Sequence, residues 1–237
     1  MNPKVLVFDF DGTIVDSNQL KDGAYFELFP SSQKTKEIIG QYKGSRKTRY
    51  QIIREILVTL KEAGEIDFSD LEEEVRDRAK KFGEIVEKGV VESHGVPGAF
   101  ELLRFLHDNK YAVYILSGTP LEPLQKTVEK LIETGKIPPV KDIYGRVDDK
   151  DEKLFKEEVI VEIMEREGAS EKQIVLIGDG KNERDAALEK GCLFIGIANE
   201  SNHWELEEKR FVVIKDLTEF RSLFEDMREG KKEFLPR

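Results

Sequence analysis

The 237-residue sequence predicts an α/β fold, a doubly wound and mostly parallel sheet with an inserted all-helical domain. Short apolar runs alternate with longer amphipathic segments, as expected when each strand is followed by a helix that packs on the sheet. The runs are almost uniformly apolar, which is typical of strands covered on both faces. One long stretch near the N-terminus interrupts the alternation, because it contains helical patterns and no convincing strand.

Five apolar runs account for the predicted strands. They are Val5–Phe8, Ala112–Leu116, Ile174–Ile177, Leu193–Ile197 and Phe211–Ile214. The amphipathic segments predict helices at about Gly98–His107, Glu122–Glu133, Asp151–Glu167, Arg184–Lys190 and Leu217–Met227. This alternation indicates repeated strand–helix units and therefore a parallel sheet.

The stretch without strands spans about residues 17–92. Arg49 to Ala63 carries isoleucine and leucine at helical spacing. Ser69 and Glu72 match a capping box that would begin a second, highly charged helix. The segment 95–98, Gly-Val-Pro-Gly, indicates the return to the sheet. We therefore predict a core of residues 1–16 and 93–237, with a helical domain of residues 17–92 inserted after the first strand.

Charge and composition argue against several classes of partner. The net charge of −10 argues against nucleic-acid binding and against an anionic membrane surface, since both need a basic face. No apolar stretch is long enough for a transmembrane helix, and Asp9 breaks the N-terminal apolar run that a signal peptide would need. The single cysteine, Cys192, fits a reducing compartment. We expect a cytoplasmic protein with a small soluble partner.

Three of the predicted strands end in residues suited to chemistry. These are Asp9 and Asp11 after the first strand, Ser117, Gly118 and Thr119 after the second, and Gly178, Asp179, Gly180 and the nearby Glu183 after the third. In an open parallel sheet, ligands bind beyond the carboxyl ends of the strands. One polar strand end is weak evidence, but three at the same edge predict a functional site.

The acidic residues at this edge favour a metal-assisted reaction on phosphorus. Crowded carboxylates raise one another's pKa and destabilise the fold, unless a cation offsets their charge. Mg²⁺ prefers carboxylate oxygens and also accepts a phosphate oxygen as ligand. Asp9 and Asp11, two residues apart in an extended segment, would face one volume. One carboxylate could attack phosphorus, and the other could protonate the leaving oxygen.

Together, the motifs DFDGT, SGT, a following lysine and GDGKNE resemble those of the haloacid dehalogenase superfamily, in the branch with a helical cap inserted after the first motif. The resemblance implies a Rossmann-like catalytic core, a cap of residues 17–92, Asp9 as the nucleophile that forms an aspartyl-phosphate, and Asp11 as general acid/base. Asp11 also favours a phosphate ester over a haloacid, because an alkoxide leaving group needs a proton and a halide does not.

The same resemblance implies the remaining roles. Mg²⁺ would be held by Asp9, Asp11 through its backbone carbonyl, Asp179 and Glu183, the last at a position where the family often has aspartate. The hydroxyl of Ser117 would bind the transferring phosphoryl group, with Gly118 and Thr13 completing the substrate-binding set of the core.

The motif lysine is Lys150 or Lys153. We prefer Lys150, because its spacing to Asp179 resembles that of cap-bearing phosphatases. Its cation would neutralise the phosphoryl oxygens and the carboxylate of Asp9.

A basic stretch from Tyr42 to Arg49 stands out in this acidic protein. It resembles the KGxxR stretch in the cap of β-phosphoglucomutase-like members, where an arginine grips a non-transferring phosphate. Arg46, with Lys43, is therefore a candidate for holding an anionic group of the substrate. A basic helix start that faces solvent is the equally weighted alternative.

We predict a Mg²⁺-dependent phosphatase of the phosphoglycolate phosphatase type, which hydrolyses a small phosphorylated metabolite. A phosphomutase of the β-phosphoglucomutase type is the first alternative, supported only by the KGSR stretch. A non-catalytic phospho-acceptor module, like a two-component receiver, is the second, although the helical insertion argues against it. The sequence is compatible with a monomer or a homodimer.

Overall fold

The computed structural model describes residues 3–41, 47–146, 152–199, 202, 204 and 210–228. The chain divides into two compact units, one formed by Met1–Asp16 with Ser93–Arg237 and the other by Ser17–Glu92. The strands described by the structure all lie in the first unit, whereas helices alone make up the regular structure described in the second. The helical unit therefore interrupts the chain just after the first strand.

The described strands form one six-stranded sheet. They are β1 (Val5–Phe8), β2 (Ala112–Pro120), β3 (Asp142–Arg146), β4 (Ile174–Gly178), β5 (Leu193–Ile197) and β6 (Val212–Ile214). Their order across the sheet is β3-β2-β1-β4-β5-β6, and every neighbouring pair is parallel. This arrangement confirms the predicted doubly wound parallel sheet. It also places β1 between β2 and β4, so the three strand ends that carry the motifs are neighbours.

Strand β3 is missing from the sequence prediction, which contains five strands. Its sequence, DIYGR, begins and ends with a charged residue, and most of it is only half-buried because it lies at the edge of the sheet. A strand with partial burial does not need a continuous apolar run. Gly145 is needed here for space, because a Cβ at this position would collide with the backbone of Leu121.

Helices connect the strands and also build the second unit. They are α1 (Asn18–Leu28), α2 (Gln33–Gln41), α3 (Arg49–Glu62), α4 (Leu71–Glu92), α5 (Ala99–Asp108), α6 (Leu121–Glu133), α7 (Glu152–Glu167), α8 (Lys181–Glu189) and α9 (Leu217–Arg228). Side chains of α7 and α8 pack against one face of the sheet, together with Val5 and Val7 of β1. Leu6 and Phe8 alternate to the opposite face and are equally buried. Burial on both faces explains why the strands are uniformly apolar.

The helical unit has a hydrophobic core of its own. The apolar stripe of α3 is buried there as predicted, through Ile52, Ile53, Ile56, Leu57 and Leu60. Helix α3 begins with a capping box in which Thr48 and Gln51 exchange side-chain to backbone hydrogen bonds. None of the helices described by the structure combines the length and hydrophobicity needed to traverse a lipid bilayer.

The predicted capping box at Ser69 is wrong by one residue. Helix α4 begins at Leu71, and it is the carboxylate of Asp70 that accepts hydrogen bonds from the backbone amides of Glu72, at 2.8 Å, and Glu73, at 3.1 Å. Asp70 therefore satisfies two of the amides that a helix start leaves without partners. A carboxylate is also favoured over a hydroxyl here, because its charge complements the positive end of the helix dipole.

Candidate active site

The turn after β1 places two aspartates at the carboxyl edge of the sheet. Asp9 still belongs to the strand ladder, because its amide donates to the carbonyl of Ile177 at 2.8 Å. The chain then folds back, and the amide of Val15 donates to the carbonyl of Phe10 at 3.1 Å. Gly12 has a φ of 74°, a left-handed conformation that glycine adopts at little cost. This tight turn explains why glycine follows the second aspartate.

The carboxyl group of Asp9 is enclosed by protein and by other charged groups. Its side chain is only 7% exposed, and burial raises its pKa to about 8. The ammonium of Lys156, 3.7 Å away, opposes this shift, while the carboxylates of Asp179, Asp11 and Glu152 add to it. An ionised, nucleophilic Asp9 at neutral pH therefore needs additional positive charge close by.

The carboxylate of Asp11 is oriented by the end of β2. Its Oδ2 accepts hydrogen bonds from the hydroxyl of Thr119, at 2.7 Å, and from that of Ser117, at 3.4 Å. The hydroxyl of Ser117 in turn accepts from the amide of Thr119 at 3.0 Å. The structure thus brings the predicted Ser117 to Asp11. It also adds Thr119, which the sequence prediction left without a role although it belongs to the same SGT motif.

Lys156 is the cation that the structure places against Asp9, and the sequence prediction did not include it. Its side chain is fully buried on α7, and its ammonium forms ion pairs with Asp9 at 3.7 Å, with Glu152 at 3.0 Å and with Glu183. Burying a lysine is costly unless its charge is paired. Lys156 precedes Ile160 and Ile163 by four and seven residues, so it lies on the same helical face as these buried side chains. This spacing is the sequence feature that could have indicated a buried lysine.

The two lysines named from the sequence have different positions. Lys150 lies outside the described residues and stays a prediction. Lys153 is 40% exposed and pairs with Glu157 one turn along the same helix. The structure therefore does not bring Lys153 to Asp9, and among the described lysines it places Lys156 beside this carboxylate.

A further carboxylate, that of Glu152, lies close to the SGT motif. A Cβ at Gly118 would come within 2.6 Å of the Glu152 carboxyl group, so the glycine leaves room for this side chain to approach the motif. Burial alone would raise the pKa of Glu152, but the ammonium of Lys156 reverses the shift and holds this pKa below its usual range. Glu152 is therefore a charged partner of Lys156 and was not predicted from the sequence.

Asp179 and Glu183 lie at the end of β4 and the start of α8. Oδ2 of Asp179 accepts a hydrogen bond from the carboxamide of Asn199 at 2.7 Å. Glu183 is 5% exposed, and its Oε1 pairs with Lys156, while its Oε2 is buried and has no hydrogen-bond partner among the described residues. Its predicted role as a metal ligand stays a prediction, since the contact that the structure gives it is with an ammonium.

The donor set at this edge fits Mg²⁺. Within the described residues, no three Asp, Glu, His or Cys side chains converge in a way that could hold a metal ion. Mg²⁺ does not require such a cluster, because it commonly binds one or two carboxylates and keeps several waters. Asp9 and Asp179 are close enough for their charges to interact, and both are hard oxygen donors. Asp9, Asp179 and the backbone carbonyl of Asp11 would supply oxygen donors of the kind that Mg²⁺ prefers, and their role as its ligands stays a prediction.

The sequence also predicts that Thr13, Lys43 and Arg46 contact the substrate. Thr13 is fully buried, and its hydroxyl has no hydrogen-bond partner in the part of the chain that the structure describes. Its role in substrate binding stays a prediction. Lys43 and Arg46 of the helical unit lie outside the described residues, and their predicted contact with an anionic group of the substrate stays a prediction as well.

Solved structures with the same fold cover almost the whole chain. YfnB from Bacillus subtilis, whose structure contains bound magnesium, has a TM-score of 0.67 and 20% identity over 94% of this chain and 99% of its own. A predicted phosphoglycolate phosphatase from Haemophilus somnus has a TM-score of 0.67 and 18% identity over 98% and 99%. β-Phosphoglucomutase from Clostridium difficile has a TM-score of 0.63 and 18% identity over 96% and 98%. At these identities the likeness concerns the fold.

Sequence comparison supplies the assignment to a family. No curated protein matches the sequence significantly. The family model of haloacid dehalogenase-like hydrolases matches residues 3–190, from the start of the sheet to the end of α8. This range contains all three motifs, with Asp9, Ser117 and Asp179, and also Lys156. The chain belongs to the haloacid dehalogenase-like hydrolase family.

Proposed function

We propose that this hydrolase is a Mg²⁺-dependent phosphatase, which cleaves a small-metabolite phosphomonoester through an aspartyl-phosphate. The observation that carries the proposal is the pair Asp9 and Asp11 at one strand end, with the ammonium of Lys156 3.7 Å from Asp9. A buried carboxylate beside a cation is suited to attack phosphorus. A second carboxyl group, held by two hydroxyls, is suited to proton transfer.

In the first step, a carboxylate oxygen of Asp9 attacks phosphorus, and the bond from phosphorus to the alcohol oxygen of the substrate breaks. Asp11, protonated at this stage, gives its proton to the departing oxygen. The ammonium of Lys156 and the hydroxyl of Ser117 would stabilise charge on the phosphoryl oxygens. Mg²⁺, when bound, supplies positive charge that favours the ionised form of Asp9 and neutralises phosphoryl oxygens.

In the second step, Asp11 accepts a proton from a water molecule whose oxygen attacks phosphorus. The bond between phosphorus and the Asp9 oxygen breaks, which releases inorganic phosphate and restores both carboxyl groups. The hydrogen bond from Thr119 holds Asp11 in one orientation for both proton transfers, and the longer one from Ser117 is exchanged for a phosphoryl oxygen when the substrate binds. A general acid is needed because an alkoxide is a poor leaving group, so these contacts support a phosphate ester as the substrate.

The experiment measures release of p-nitrophenol and phosphate from p-nitrophenyl phosphate, with and without Mg²⁺. Steady turnover is expected in Mg²⁺ and should fall to background in EDTA and in Asp9→Asn, which cannot form the acyl phosphate. Asp11→Asn should also lose steady turnover, because it cannot accept the proton of the water that attacks phosphorus in the second step. Asp108→Asn, an exposed aspartate at the end of α5, is the matched control and should retain full activity.

Three results would contradict the proposal. Turnover that survives in Asp9→Asn would exclude this residue as the nucleophile. Stoichiometric phosphorylation of Asp9 without turnover would indicate a phospho-acceptor module. Interconversion of sugar phosphates with little free phosphate would indicate a phosphomutase.

A screen of phosphorylated metabolites would identify the substrate. The same screen with Arg46→Ala would test whether this arginine contributes to substrate recognition.

A further inference from the structure

The loop after β5 reaches the end of β4 and contacts Asp179. The carboxamide of Asn199 donates from Nδ2 to Oδ2 of Asp179 at 2.7 Å. The register of the two strands explains the contact, because Gly178 pairs with Gly196 and the residues beyond them lie side by side. An uncharged donor is therefore held against a carboxylate of the candidate site.

A second asparagine fixes this loop. Nδ2 of Asn202 donates to the carbonyls of Ile197, at 2.7 Å, and Asp179, at 3.1 Å. Its Oδ1 accepts from the amides of Asn199, at 3.2 Å, and Trp204, at 3.1 Å. A carboxamide has two N–H donors and one oxygen with two lone pairs, so the hydrogen-bonding capacity of Asn202 is fully used. Asn202 thus ties the loop after β5 to the backbone of Asp179.

We propose that Asn199 is a positioning residue that orients the carboxylate of Asp179 for the divalent cation. This inference rests on the proposed function, since it takes Asp179 as a Mg²⁺ ligand. The hydrogen bond fixes the carboxylate before the cation binds. A lysine or arginine at this position would also bind the carboxylate, but its charge would compete with the metal, whereas a carboxamide orients the ligand without that competition. Partners of this kind typically contribute 10- to 100-fold to metal affinity.

The test separates this role from a role in holding the loop. Oδ1 of Asn199 accepts a hydrogen bond from the amide of Asn202 at 3.0 Å. Asn199→Ser keeps a side-chain oxygen that can accept this local bond, but its hydroxyl is too short to reach Asp179. Asn199→Ala keeps neither contact. The two variants therefore differ in the loop contact and share the loss of the contact with Asp179.

Mg²⁺ affinity is measured by titration calorimetry on metal-free protein, and the thermal unfolding midpoint is measured in EDTA. Both variants should bind Mg²⁺ about 10- to 100-fold more weakly than the wild type. Asn199→Ala should unfold at a lower temperature in EDTA than Asn199→Ser, because it also loses the loop contact. Asn109→Ala removes an exposed carboxamide that donates to the carbonyl of Phe105, and it should match the wild type in Mg²⁺ affinity.

Two outcomes would overturn the inference alone. In the first, Asn199→Ser binds Mg²⁺ as tightly as the wild type and only Asn199→Ala binds it more weakly, which would mean that Asn199 acts by holding the loop. In the second, both variants bind Mg²⁺ as tightly as the wild type. A wild-type protein that binds no Mg²⁺ would instead overturn the proposed function, together with this inference. The calorimetry of the wild type therefore distinguishes the two failures.

Discussion

At the scale of single residues, the charge of Lys156 determines what the candidate site can do. Its ammonium is fully buried and lies against Asp9, Glu152 and Glu183. Removing one partner of such a buried cluster leaves uncompensated charge, which typically costs about 3–5 kcal/mol. The same cation lowers the pKa of Asp9, whose burial and acidic neighbours raise it. Lys156 therefore acts on both the stability of the fold and the ionisation of the proposed nucleophile.

We predict that Lys156→Met lowers kcat for p-nitrophenyl phosphate by about 100-fold or more, because a cation that stabilises the phosphoryl oxygens is lost. Lys153→Met, on the same helix but exposed and paired with Glu157, should change kcat by less than about twofold. Steady-state kinetics measures both values. If the methionine variant does not fold, Lys156→Arg retains the charge with altered geometry, and it should fold and still lose most of its activity. Wild-type kcat in either Lys156 variant would contradict the prediction.

The proximity of Asp11 and Ser117 could be predicted, because short patterns place both residues just after apolar strands. Asp9 and Asp11 are two residues apart in one segment, and Ser117 follows an obvious apolar run. The lysine could not be placed in the same way, because it lies on a helix whose register is set by packing. The first turn of α7 and the residues before it hold three lysines within seven positions, and only the burial of one face identifies Lys156.

At the scale of elements, apolar patterns and capping residues predicted which helices and strands exist better than they predicted where each one begins and ends. The central strands could be predicted because burial on both faces requires apolar residues at every position. The edge strand β3 escaped detection because four of its five residues are only half-buried and two of the five are charged. The start of α4 shifted by one residue because Ser69 and Asp70 are both good capping residues, and sequence alone does not decide between them.

We predict that Asp70→Ala lowers the free energy of unfolding by about 1 kcal/mol, since it leaves two backbone amides of α4 without their acceptor. Ser69→Ala, one residue earlier, should change it by less than about 0.5 kcal/mol. Urea unfolding followed by circular dichroism measures the difference. Equal losses in the two variants would mean that the helix is capped differently from the structure described above.

At the scale of the whole molecule, an acidic protein concentrates part of its negative charge at one sheet edge. The net charge is −10, and Asp9 is surrounded there by the carboxylates of Asp11, Glu152 and Asp179. The parallel sheet could be predicted from the alternation of apolar runs with amphipathic segments, although its edge strand β3 was not. The balance of charge at the edge could not, because it depends on how deeply Asp9 is buried and on the cation that α7 contributes.

This balance predicts how the stability of the metal-free protein changes with pH. Burial, with three neighbouring carboxylates, raises the pKa of Asp9 from 3.8 to about 8, so the folded state favours the protonated form. The stabilising contribution of Asp9 is therefore complete below pH 3.8 and is lost progressively as the pH rises through about 8. In Asp9→Asn the side chain does not ionise, and this loss should be absent.

We predict that, in EDTA, wild-type stability falls relative to Asp9→Asn between about pH 4 and pH 8, by on the order of a few kcal/mol, and levels off at higher pH. Carboxylates elsewhere whose pKa is lowered, such as Asp216, contribute equally to both proteins and cancel in the difference.

Mg²⁺ favours ionised Asp9, so it should raise the wild-type unfolding temperature more at the higher pH and raise that of Asp9→Asn much less. Thermal unfolding across this pH range measures both effects. Parallel pH curves for the two proteins in EDTA would show that burial does not hold Asp9 protonated, and an equal response to Mg²⁺ would show that Asp9 does not bind the ion.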